Sequence, residues 1–68
     1  MVTYKVAECK GLSTYGIIAV DSDEIIEEIP DISANKEAVI ELANRMNRDG
    51  LSIIHFCDVV EDFLISEY

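Results

Sequence analysis

The apolar residues of this chain change their spacing once, near Pro30, and that change constrains the fold more than any other feature. Before it they recur mostly at every second position, the repeat of a strand. After it they recur at three and four, the repeat of a helix. Each pattern buries an apolar face only in its own conformation. Strands first and helices second give an α+β class. The expected architecture is a three-stranded antiparallel meander followed by two helices packed on one face, in the order βββαα.

Residues 2–9 (VTYKVAEC) read as the first strand, with Val2, Tyr4 and Val6 alternating with Thr3, Lys5 and Ala7. Lys10-Gly11 supplies a turn, and residues 12–20 (LSTYGIIAV) read as the second strand. Asp21-Ser22-Asp23 carries short polar side chains that bond their own backbone in turns. Residues 24–29 (EIIEEI) form a third strand whose glutamates suit a sheet edge, and Pro30 is expected to end it. Ser33 is expected to cap a helix over residues 34–49. Val39, Leu42, Ala43 and Met46 form its apolar stripe, opposite Glu37, Glu41, Asn44, Arg45 and Arg48. Glu41 and Arg45 stand four apart in the order that favours a helical ion pair, and Gly50 closes the helix. Ser52 is expected to cap a second helix from residue 53 to about 66. Its broad apolar face is Ile53, Phe56, Cys57, Val60, Phe63 and Leu64. Asp58, Glu61 and Asp62 lie on the outer side, with Ile54 and Ile65 beside them.

The second strand departs from simple alternation. Tyr15, Ile17 and Ala19 make one face apolar, and Ile18 and Val20 do the same to the other. A strand apolar on both faces is normally covered on both, yet two helices cover only one side of a three-stranded sheet. The 68 residues fit one domain, residues 1–68, and a core that small supplies only about 3–5 kcal/mol. Half of the residues are hydrophobic. These facts together point to a homodimer formed through the uncovered sheet face.

Charge excludes two classes of partner. The formal net charge is −9, and the five basic residues, Lys5, Lys10, Lys36, Arg45 and Arg48, are scattered. Nucleic-acid backbones and anionic membranes both need concentrated positive charge, so no direct nucleic-acid binding and no membrane binding is expected. The first ten residues alternate polar and apolar, unlike a secretion signal. The expectation is a cytoplasmic protein whose two cysteines, Cys9 and Cys57, stay reduced. Neither a metal nor another cofactor is expected. The soft ligand candidates are Cys9, His55 and Cys57, and two residues that stand two apart diverge on a helix.

Four short stretches carry a resemblance: Tyr15-Gly16-Ile17, Asp31-Ile32-Ser33, Leu51-Ser52-x-x-His55 and residues 58–64 (DVVEDFL). Together they resemble a family of short uncharacterised bacterial proteins, classed as a domain of unknown function. The resemblance runs from about Tyr4 to Leu64. It implies a bacterial, cytosolic, single-domain protein and brings no site residue with it.

The remaining side chains offer little for catalysis. Asp21, Asp23 and Glu24 lack the glycine and the length of a calcium loop. The carboxylates Asp58, Glu61 and Asp62 sit on a solvated helix face, without the pocket that separates the pKa values of a catalytic pair. Cys57 is expected in the core and Cys9 at an accessible strand end. The reading is therefore a non-enzymatic, acidic interaction module that self-associates and binds another protein. Its expected partner surface is Ile54, Asp58, Glu61, Asp62 and Ile65. The alternatives are a small enzyme or redox accessory using Cys9 and His55, and an acidic mimic of nucleic acid.

Overall fold

In a computed structural model, which describes residues 1–67 (Glu67 by its backbone only), the expected order of elements is present. Strands β1 (Thr3–Cys9), β2 (Thr14–Asp21) and β3 (Glu24–Ser33) form an antiparallel sheet in the order β1-β2-β3. Helix α1 (Lys36–Arg48) follows, then a 3-10 turn (Ile53–His55) that runs into helix α2 (Phe56–Glu67).

Cross-strand partners point to the same side of a sheet, so the register assigns the faces. Tyr4 pairs with Ala19, and Val6 with Ile17, which pairs with Ile29. This is the face the helices cover. Tyr4, Ile17 and Ala19 join Ile32, Val39, Leu42, Ala43, Met46, Phe56 and Val60 in one buried cluster. The stripe expected on α1 is the buried one.

Tyr4 is the joint between the two halves of the chain. Its ring lies 5.1 Å from that of Phe56 in a tilted pair, and its hydroxyl donates to the carbonyl of Leu51 at 2.7 Å. Its backbone faces the outer side of β1, where a bare edge would offer unpaired groups to any passing strand. Asn47 closes that position. Its Oδ1 accepts from Tyr4 N at 2.8 Å, and its Nδ2 donates to Tyr4 O at 2.9 Å. One carboxamide thus does the work of a neighbouring strand's peptide group.

Several boundaries differ from the sequence expectation. Pro30 does not end the third strand, which continues through it to Ser33. An edge strand tolerates proline, above all at a bulge, and this is both. Tyr15 faces Ser33 and Ile17 faces Ile29, so residues 30–32 occupy the space opposite Gly16 alone. Asp31 takes a left-handed φ of 56° there. The bulge also explains Gly16: a Cβ at this position would collide with the Ile29 carbonyl and stand 2.6 Å from Pro30 Cα. Because β3 runs to Ser33, the helix cap moves as well. Asn35 is the N-cap, its side chain accepting from Ala38 N at 3.2 Å, while Ser33 Oγ accepts from Asn35 N at 3.0 Å. Ser52 opens the 3-10 turn, but its hydroxyl makes no capping bond. Leu12, expected in β2, is exposed in the β1–β2 connection.

The close of α1 is as expected. Gly50 has a φ of 62°, Leu51 N donates to Met46 O at 3.0 Å, and Gly50 N donates to Asn47 O at 3.2 Å. That bond pair is the Schellman arrangement. It turns Leu51 back towards Met46 and leads the chain into α2.

Candidate functional site

With the helices on one side, the other side of the sheet is open. Its residues follow from the register: Lys5, Ile18 and Glu28 form one row across the three strands, and Thr3, Val20 and Ile25 form the next. A solvated antiparallel face normally alternates to polar residues. Strand β1 obeys with Thr3 and Lys5. Strands β2 and β3 do not. Ile18 and Val20 are half-buried, Ile25 is 64% exposed and Ile26, beside the second irregularity of β3, is 44% exposed. The result is an apolar strip with a lysine at one margin and a glutamate at the other.

The five residues expected to meet a partner are all exposed, Ile54 and Ile65 at 76% and 73%. Helical phase separates them, however. Phe56 and Val60 are buried, which sets the inward side of α2. Asp58 and Ile65 stand on the far side from it, while Glu61 and Asp62 stand on opposite flanks, Asp62 on that of Val59 and Phe63. Asp62 lines a groove between the two helices instead, together with Glu41, Leu42, Arg45, Met46, Asp49, Leu51, Val59 and Phe63. That groove, about 600 Å³ in volume, was not foreseen from spacing.

Phase also corrects the placement of Cys57. It is exposed, not in the core. One residue turns a helix by about 100°, so with Phe56 fully buried its neighbour swings out of the stripe. Phe63 is half-buried, at the margin of the core. Cys9 is half-buried too, its Sγ accepting from Asp31 N at 3.2 Å, which ties the end of β1 to the bulge of β3. The structure does not bring Cys9 and His55 together. His55 precedes Phe56, which packs on Tyr4, and Tyr4 is five residues, about 16 Å of strand, from Cys9. Among the described residues no group of three His, Cys, Asp or Glu side chains is placed to hold a metal ion. The expected Glu41–Arg45 ion pair is not formed; the ion pairs of the described residues are Met1 N with Asp21 and Arg48 with Asp49. No helix among them is long and apolar enough to cross a membrane.

Fold and surfaces define a small α+β domain of three antiparallel strands with two helices on one side. The chain belongs to a family of unknown function, DUF6514, whose model matches residues 1–66. No curated protein and no solved structure matches the chain.

Proposed function

We propose that this protein is a non-catalytic, cytoplasmic interaction module that self-associates through the open face of its sheet and presents its helices to a protein partner. The observation that carries the reading is the apolar strip of Ile18, Val20, Ile25 and Ile26 on a face that, among the described residues, neither helix covers. A closed two-fold dimer needs a patch that complements itself, and this one qualifies. With the two-fold axis lying in the interface along β2, Lys5 of one copy stands over Glu28 of a second copy, and the reverse. Ile18 and Val20 then meet their own equivalents, as in two sheets packed face to face about 10 Å apart. Separation of Cys9 from His55 supports binding over catalysis, and two free thiols fit a reducing cytoplasm.

Sedimentation velocity tests this reading. The wild type at concentrations on the order of 10–100 μM, where a Kd in the micromolar range is visible, should sediment as a dimer. Ile25→Glu should sediment as a folded monomer, because the side chain it replaces is mostly exposed and contributes little to the core. A wild type that stays monomeric throughout that range overturns the proposal.

A further inference from the structure

We infer that the groove between α1 and α2 is a docking site for a basic amphipathic helix of a partner protein. The inference rests on the reading of this chain as an interaction module and adds the chemical class of the partner. Both helices lie on the sheet, but they leave between them a channel of about 600 Å³. Its less exposed lining is apolar: Leu42 and Met46 from α1, Val59 and Phe63 from α2, and Leu51 from the connection between them. It runs from Ala38 to Met46 along α1 and from Val59 to Ser66 along α2, a length of about 10–12 Å at the helical rise. About two turns of a helix fill that length.

The walls decide the occupant's conformation. Both are helices, whose backbone groups are bonded within themselves, so the channel offers no row of free N–H and C=O groups to an extended peptide. An occupant must satisfy its own backbone, and a helix does so while laying one apolar face into a groove. The rim decides its charge. Glu41, Asp49 and Asp62 stand there against Arg45 alone. Asp49 is paired with Arg48, but Glu41 and Asp62 have no cation within ion-pair distance among the described residues. A second copy of this chain, with net charge −9, brings more carboxylates to that rim. A helix flanked by lysines or arginines brings what the rim lacks.

The test is an amide NMR titration of the full chain with a synthetic peptide of about 14 residues, roughly 20 Å of helix. The peptide carries leucines at i, i+4 and i+7 with lysines flanking them. Titrations run at about 150 mM salt, where charges beyond a Debye length are screened. The expected result is saturable shifts at Leu51, Val59, Asp62 and Phe63. Binding should weaken about tenfold or more in Glu41→Arg/Asp62→Arg, which should in turn bind a peptide with glutamates in place of the lysines. A scrambled peptide that binds equally well overturns the inference, because attraction is then mere opposite charge. Shifts centred on Asp58, Glu61 and Ile65 overturn it too, yet leave an interaction module with a different partner face. No shifts at all also overturn it. Self-association is read separately, since the Ile25→Glu variant should bind the peptide as the wild type does.

Discussion

Gly16→Ala is a stringent test of the bulged edge, because here steric collision acts alone. Gly16 has no positive φ to lose, so alanine's backbone preferences are not violated. The added methyl instead meets two backbone atoms of β3, the Ile29 carbonyl oxygen and Pro30 Cα, the latter at 2.6 Å. Ordinary contact distances are about 3.5–4.0 Å, so the bulge must retreat by roughly 1 Å. Overpacking of this kind costs about 1–3 kcal/mol, and reduced freedom of the unfolded chain returns about 0.4–1 kcal/mol. The net loss should be about 1–2 kcal/mol. In a domain of this size each kcal/mol moves Tm by about 4–8 °C, so Tm should fall by about 10 °C. Thermal unfolding followed by circular dichroism measures it. Gly50→Ala supplies the contrast: nothing lies within 4 Å of its Cβ, but its φ of 62° penalises any side chain. Gly50→Asn should therefore be milder than Gly50→Ala, since asparagine tolerates the left-handed region. Gly16→Ser should be no milder than Gly16→Ala. An unchanged or raised Tm for Gly16→Ala refutes the account of the bulge.

Three further outcomes follow from particular residues. A thiol reagent should modify exposed Cys57 before half-buried Cys9, whose sulfur is held by Asp31 N; equal rates in the folded protein contradict that placement. Ser22 and Asp23 both have positive φ, at 52° and 66°, in the two-residue turn between β2 and β3. Asn-Gly is the pair such a turn prefers, so Ser22→Asn/Asp23→Gly should raise stability by about 1 kcal/mol in urea titrations, and a loss would show that the turn is of another type. Burial pushes the Tyr4 phenol above its ordinary value of 10.0. A group raised in the folded state stabilises below its unfolded pKa and loses that contribution as pH rises through the folded one. Wild-type stability should therefore fall above pH 10 more steeply than that of Tyr4→Phe, and parallel curves would assign the loss to other groups.

What could be read from the sequence, and what could not, divides by range. Local periodicity marks each strand and both α-helices, and the two apolar parities of β2 mark the open sheet face. Local signals failed where a distant partner decides. Proline reads as a strand end until the bulge opposite Gly16 makes room for it, and that error displaced the helix cap from Asn35 to Ser33. Helical spacing alone makes the apolar face of α2 broad enough to include Cys57, whereas the burial of Phe56 and Val60 narrows it to a phase that turns Cys57 outward. Asn47 sits 43 residues from Tyr4, and no sequence pattern links them. The groove was hidden for the same reason. Its rim combines Glu41 and Asp62 from two helices whose spacing depends on how each rests on the sheet.

Self-association by a self-complementary sheet face is the central claim, and a charge swap tests it most directly. In the two-fold arrangement each dimer holds two contacts between Lys5 and a second copy's Glu28. Exposed pairs contribute about 0.2–1 kcal/mol each, and reversing one partner replaces attraction by repulsion. Lys5→Glu alone and Glu28→Lys alone should therefore each weaken the dimer about tenfold in sedimentation equilibrium, while Lys5→Glu combined with Glu28→Lys should restore it. Additive weakening in the double variant, or no effect of either single change, would contradict the account.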